Sequence, residues 1–286
     1  VRNADGVWEY TSPVLRSELY NYNFIVDGVR ICDPSNVFIC RDVASSFNIF
    51  IIGGDRGDIY SVNDVPHGSV TKTWYDSPTL QTKRRVTVYT PAGYETSKEE
   101  YPVLYLLHGA GGDEEAWIAL GRTSQILDNL IAQGKCEPMI VVMPYANPYP
   151  EMMLRGLADR YDAMDTKLTT KEFTESVIPF IEANYNVYTD AANRAIAGFS
   201  LGGRQTLACG LGNPDLFNYV CAFAPAIFGP EISANFENGT YAPAAELNEK
   251  LDLLWLSCGT SDFLYQSSLQ LEKNFKDRGI EHKTIF

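Results

Sequence analysis

Histidine is scarce in this 286-residue chain: there are three, His67, His108 and His282. That shortage confines proton-transfer chemistry near neutral pH to a handful of positions. Cysteine supplies no metal framework either. The six, Cys32, Cys40, Cys136, Cys209, Cys221 and Cys258, form no Cys-x-x-Cys pair and have no zinc spacing. Cys209, Cys221 and Cys258 sit in apolar runs and read as buried thiols, while Cys32 and Cys40 are the one pair considered for a bridge. Long apolar runs are missing. Val103 to Leu107 and Met139 to Met143 are strand-sized, so no segment is long enough to cross a bilayer as a helix. Positive charge is in deficit, with 23 Lys and Arg against 36 Asp and Glu and a net charge of −13. That balance argues against nucleic acid or an anionic membrane surface as a partner and suits an uncharged substrate.

What is present is a core. Hydrophobic residues make up 45% and aromatics 12%, a composition that packs rather than one that stays disordered. The length allows one large domain, or a catalytic domain with a small accessory one. Residues 1–54 read as a small all-β, sandwich-like module. Val7 to Tyr10, Leu19 to Val26 and Phe47 to Ile52 are its expected strands, and Asp27-Gly28 turns a hairpin into Val29 to Ile31. It is too short to close two sheets in the usual way, so further strands are expected before Val1, and the chain reads as a mature form or a fragment. A breaker cluster from Gly53 to Asp58 marks the boundary, 55–67 read as a linker, and 68–286 as a second domain.

That second domain starts with an antiparallel pair, Val70 to Tyr75 and Arg84 to Tyr89. Tyr101 to Leu107 and Met139 to Met143 follow as apolar runs of the kind a parallel sheet buries on both faces. Helices are expected at Ser124 to Ala132, at Thr169 to Tyr185 with a kink at Pro179, and from Phe263 to about Asp277. Strands are expected at Arg194 to Ala197, Tyr219 to Phe223, Leu251 to Ser257 and from Ile280. Alternation of strand and helix gives an α/β fold with a mostly parallel sheet.

One stretch organises the chemistry. Gly198-Phe-Ser-Leu-Gly202 lies between a short apolar strand and a helical run, the arrangement of a nucleophile elbow. There a tight turn lifts the serine hydroxyl to a helix N-terminus, where developing negative charge is favoured. Ser200 is therefore the expected nucleophile; the competing reading is an ordinary glycine-rich turn. Serine needs a base, usually oriented by an acid. Asp262 follows a strand on the correct edge of the sheet and comes after Ser200, which makes it the expected acid; its alternative role is a helix cap. Asp215 is the rival acid, in a stretch that looks like a turn into a short helix. The N–H of Leu201 is one expected oxyanion donor, and the His108-Gly-Ala-Gly-Gly112 loop supplies the other, at Ala110 or Gly111.

The base is not evident. His67 precedes the serine, in the linker. His108 sits in the oxyanion loop, where its ring is expected to brace the backbone. His282 begins the last strand, at the wrong edge. The base is expected in the loop after that strand, beyond Phe286; a longer sequence without a histidine there would return the role to His282. Tyr145, Met152, Met153 and Phe228 are candidates for an apolar slot, against the plainer reading of loop packing. Trp8, Tyr20 and Tyr22 are candidates for stacking on sugar rings, against the plainer reading of core.

His108-Gly-Ala-Gly-Gly-Asp-Glu-Glu-Ala-Trp117, Gly198-Phe-Ser-Leu-Gly-Gly203 and Gly259-Thr-Ser-Asp-Phe263 together resemble the esterase D group of α/β-hydrolases. The nearest resemblance is to carbohydrate esterase family 1, the feruloyl and acetyl-xylan esterases. Gly6-Val-Trp-Glu-Tyr10, Val26-Asp-Gly-Val29, Asp33-Pro-Ser-Asn36 and Asp64-Val-Pro-His-Gly68 resemble the glycogen-binding-like immunoglobulin-fold modules that precede many of them. The resemblance implies an α/β-hydrolase domain with Ser200 as nucleophile, Asp262 as acid and a histidine in a Gly-His-x-Trp-like segment that this sequence does not reach. It implies no metal and no cofactor. It also implies a secreted, periplasmic or cell-surface esterase acting on ferulate or acetyl groups of plant polysaccharide or feruloylated oligosaccharide. Two alternatives are carried beside it: an esterase for a siderophore or other small ester, and a carbohydrate-binding protein with an inactive hydrolase domain.

Overall fold

In a computed structural model, residues 2–42, 45–148 and 166–286 are described. An eight-stranded sheet runs in the order β13-β12-β11-β10-β8-β9-β7-β6. Its members are β6 (Ser69–Ser77), β7 (Thr82–Thr90), β8 (Val103–Leu107), β9 (Ile140–Pro144), β10 (Arg194–Phe199), β11 (Tyr219–Phe223), β12 (Leu253–Ser257) and β13 (Lys283–Ile285). β6 and β7 form the antiparallel pair expected, β7 also runs antiparallel to β9, and from β9 to β13 every pairing is parallel. The central strands are apolar throughout because both faces are covered. Leu107, Val142 and Ile196 enter one core cluster, while their neighbours Leu106, Val141 and Ala197 enter another on the opposite face. Alternate side chains of one strand thus serve two layers.

Strand order fixes where a site can form. β8 pairs with β9 on one side and β10 on the other. The chain leaving β8 and the chain leaving β10 therefore diverge, and a crevice opens at their carboxyl ends, the usual ligand position in such sheets. Gly198 of β10 stands opposite Leu107 of β8, so Ser200 and the His108 loop emerge at nearly the same level.

The front segment has a three-stranded antiparallel sheet, β1 (Glu18–Tyr22), β5 (Ser45–Ile52) and β4 (Ile39–Asp42), in the order β1-β5-β4. A separate hairpin pairs β2 (Phe24–Val26) with β3 (Val29–Ile31) through Asp27 and Gly28, both at positive φ. The expected single strand from Leu19 to Val26 is thus two, interrupted at Asn23. Asn23 donates its side-chain amide to the Ser46 carbonyl at 2.9 Å. Val7 to Tyr10 is not a strand; only an isolated bridge joins Trp8 to Arg2. Cys32 and Cys40 are not bridged: both are free, and Cys40 donates to the Ala119 carbonyl.

The stretch expected as a linker contains a short helix, α1 (Arg56–Tyr60). Side chains at α3 (Thr123–Ala132), the second helix after β8, following α2 (Ala116–Ala119), hold its backbone. Arg122 donates to the Tyr60 carbonyl at 3.0 Å, and Asn129 donates to those of Ile59 and Ser61 at 3.0 and 2.9 Å. Buried Asp128 accepts from the Gly68 N–H, from the Tyr89 hydroxyl and from His67.

The helix expected from Thr169 to Tyr185 is one rod in three parts. These are α4 (Lys167–Glu172), a π-helical turn (Phe173–Val177) and α5 (Ile178–Asn184). Pro179 cannot donate to the carbonyl four residues back, and the widened turn just before it accommodates that loss without a break. At the end of α4, buried Glu172 accepts hydrogen bonds from Tyr75, Ser77 and Ser176 and lies 3.6 Å from the buried Arg84 guanidinium. Arg84 in turn donates to the carbonyls of Tyr145 and Asn147. Past β10 come α6 (Leu201–Gly212), α7 (Pro230–Glu237), α8 (Ala244–Lys250) and α9 (Tyr265–Asp277).

Candidate active site

Ser200 occupies the turn between β10 and α6 at φ 56° and ψ −116°, a conformation costly for a residue with a Cβ. The turn persists because it is bonded from several sides. Ser200 N–H donates to the Phe223 carbonyl at 2.9 Å, and its carbonyl accepts from the N–H groups of Arg204 and Ala226. Glycine at both flanks follows from space. A Cβ on Gly198 would stand 2.4 Å from the Gly202 carbonyl oxygen, and one on Gly202 would stand 2.5 Å from that of Leu107. α6 is buried along nearly its whole length and starts at Leu201, so its positive end is directed at the serine.

The loop after β8 packs against this turn. A Cβ on Gly109 would meet the Ser200 Cβ at 3.4 Å. His108 is buried, and both ring nitrogens are engaged: Nδ1 contacts the Gly109 carbonyl at 2.8 Å and Nε2 the Ala146 N–H at 3.1 Å. Since a carbonyl can only accept and an N–H only donate, Nδ1 carries the proton and Nε2 is the acceptor. Burial pushes the His108 pKa down, against the Gly109 hydrogen bond, and the neutral ring fits both partners. His108 is thus a brace for the loop, as the sequence suggested. Gln205, from α6, donates to the carbonyl of the same Ala146.

Asp262 lies beyond the carboxyl end of β12, and its Oδ1 accepts from the Leu264 N–H at 2.8 Å. It is not the N-cap of α9; Leu264 holds that position. Asp262, Ser200, Ala110 and Gly109 line one cavity of about 400 Å³ together with Trp117, Phe199 and Phe263. Two of its lining residues, Arg41 and Asp42, belong to β4 of the front segment. An adjoining hollow of about 360 Å³ runs from Asp262 past Phe199, Phe223 and Cys258 to Ile285 and Phe286.

Other expected residues fall elsewhere. His282 bonds the Ile280 carbonyl and packs edge-on to Phe275 ahead of β13, at the opposite edge from Ser200. His67 is bound to Asp128. Asp215 is exposed and paired with Lys250. Tyr145 stacks on His108, with Arg84 over its ring, and is not among the residues lining the cavity. Phe228 is absent from that lining too, and Met152 and Met153 lie outside the described residues. Among the described residues, Trp117, Phe199 and Phe263 are aromatic members of that lining. Two of these are sequence neighbours of Ser200 and Asp262, a positional signal that a reading aimed at loop-borne tyrosines and methionines passed over.

Comparison with known proteins bears on the family and the fold. The Esterase family profile matches residues 77–276. An endo-1,4-beta-xylanase/feruloyl esterase of Xylanibacter ruminicola is 32% identical over 241 residues, covering 80% of this chain and 32% of that protein. This chain therefore spans about a third of that relative's length. Among solved structures, a ferulic acid esterase superposes with a TM-score of 0.62 at 26% identity, over 77% of this chain and 89% of its own. A CE1 ferulic acid esterase from Anaeromyces mucronatus, in complex with ferulic acid, gives 0.68 at 24% identity, over 88% and 90%; at that identity the likeness speaks for the fold alone. The fold is that of an α/β-hydrolase, and the chain belongs to the Esterase family.

Proposed function

We propose that this chain is a serine esterase that releases ferulate or acetyl groups ester-linked to plant cell-wall polysaccharide such as xylan. The observation that carries the reading is the convergence of Ser200, the Gly109–Ala110 backbone and Asp262 on one cavity with aromatic walls. Its volume is within the range of small-molecule sites. Trp117 and Phe263 offer apolar faces for a hydroxycinnamoyl ring. The name of the Xylanibacter ruminicola relative supports the substrate class.

Ser200 Oγ adds to the ester carbonyl as its proton passes to a base. In this reading the resulting oxyanion is received by the N–H groups of Leu201 and Ala110, main-chain donors of the kind that stabilise charge as it develops. The sugar hydroxyl departs with the proton, and water then hydrolyses the acyl-serine to free acid and serine. Asp262 orients the base. None of the three histidines is placed for that role: His108 has both nitrogens occupied, while His67 and His282 are bound elsewhere. The base that this reading calls for is a histidine other than these three. The substrate class further suggests secretion or a cell-surface location, with the front segment as a carbohydrate-binding-type module of residues 1–54. The test is Ser200→Ala in the full-length protein, assayed for ferulate release from methyl ferulate and from feruloylated xylan oligosaccharide. Release is expected to vanish; persistent release refutes the assignment.

A further inference from the structure

The loop that faces Ser200 carries three glycines within four residues, Gly109, Gly111 and Gly112. Such a backbone has many conformations to lose and holds a donor in place only if braced. Inside the loop, Gly112 N–H donates to the Gly109 carbonyl and His108 fixes the loop's first turn. The far half is held from outside. Arg41, at the end of β4, donates Nη1–H to the Gly111 carbonyl at 2.8 Å and pairs through Nη2 with the Asp113 carboxylate. One planar guanidinium thus spans two anchor points two residues apart, a geometry that a lysine ammonium does not reproduce. Burial opposes ionisation of Asp113, but the Glu115 N–H and Arg41 outweigh it and hold its carboxyl below the ordinary range. Cys40, the preceding residue, is buried and donates to the Ala119 carbonyl at the end of α2. β4 is therefore seated against the hydrolase at successive residues.

We infer that Arg41 is a positioning residue for the esterase reaction, setting through Gly111 and Asp113 the orientation of the Ala110 N–H toward the oxyanion. The front segment is on this view a structural part of the catalytic site. The inference rests on the assignment of Ser200 and Ala110 made above.

The test compares Arg41→Met, Arg41→Lys and Asp113→Asn with the parent and with Ser200→Ala, all in the full-length protein, on methyl ferulate. Arg41→Met is expected to lower kcat by about 10- to 100-fold, the scale of a misplaced catalytic donor, with KM nearly unchanged. It should also weaken binding of a ferulate-derived trifluoromethyl ketone, which forms the tetrahedral adduct, without weakening binding of ferulate. Arg41→Lys should recover part of kcat, and Asp113→Asn should lose less than Arg41→Met. A change confined to KM would overturn the inference, since Arg41 would then be contacting substrate. Unaltered kcat in Arg41→Met, or a loss that only follows a lowered melting temperature, would overturn it as well. Those results leave the esterase reading intact provided Ser200→Ala is dead; activity in Ser200→Ala removes the reading itself.

Discussion

Gly202→Ala adds one methyl group where the helix after Ser200 meets β8 closely. The new Cβ would lie 2.5 Å from the Leu107 carbonyl oxygen and 2.6 Å from that of His108, where ordinary contact begins at 3.4 Å. Both obstacles are backbone, so no side-chain rotation relieves them, and α6 must move from β8 by about 0.9 Å. Two effects compete. Alanine favours a helix over glycine by about 1 kcal/mol, whereas overpacking typically costs about 1–3 kcal/mol. With rigid main chain on both sides the upper figure applies, leaving a net loss of about 2 kcal/mol. That is a fraction of a typical domain's about 5–15 kcal/mol, so the variant folds. Its chemistry suffers more, because the shift separates the Leu201 donor from the His108 loop. A displacement near 1 Å costs about 100-fold in rate. The assay is a urea titration at fixed m-value together with kcat on methyl ferulate in the full-length protein. Gly259→Ala is the control: nothing lies within 4 Å of its Cβ, and a compatible Gly→Ala change adds about 0.4–1 kcal/mol. Parent-like stability and rate in Gly202→Ala would refute the packing argument.

Beyond the expected loss of ferulate release in Ser200→Ala and of kcat in Arg41→Met, two outcomes concern stability. Glu172→Ala leaves the Arg84 guanidinium and the hydroxyls of Tyr75, Ser77 and Ser176 without their shared acceptor, so a urea titration should show a loss of about 3–5 kcal/mol. The pH dependence follows from His108, whose pKa is depressed by burial. Its contribution is intact above the ordinary histidine value of about 6.5 and is lost as pH falls from there through the depressed value. The urea midpoint should therefore decline on the acid side of neutrality, and His108→Gln should flatten that part of the profile.

The readable parts of this fold were those written locally. Tyr101 to Leu107 and Met139 to Met143 announced buried strands because both faces of the central sheet are covered. Gly198-Phe-Ser-Leu-Gly202 announced the elbow because helix and strand leave no room for a Cβ at either flank. Where tertiary partners decide, the reading failed. Val7 to Tyr10 has strand-like residues but pairs only once, through Trp8. α1, α7 and α8 are short, and their apolar positions are too few to show a period. Tyr145 stacks on His108, a contact with a residue 37 positions earlier that no local pattern announces. Arg41 could not be recognised, because its partners Gly111 and Asp113 lie 70 and 72 residues away.

The grip on the stretch after β5 has an evolutionary consequence. Arg122 and Asn129 receive the carbonyls of Ile59, Tyr60 and Ser61, and Asp128 receives the Gly68 amide. All four groups belong to the main chain, which every amino acid carries. Substitution at 59–61 leaves these main-chain groups in place, although Tyr60 and Ser61 also have side-chain bonds of their own to Glu18 and to the Gly57 carbonyl; substitution at Arg122, Asp128 or Asn129 removes the side chains that grip them. Among relatives with this joint, Arg122, Asp128 and Asn129 should vary less than the residues whose main chain they hold.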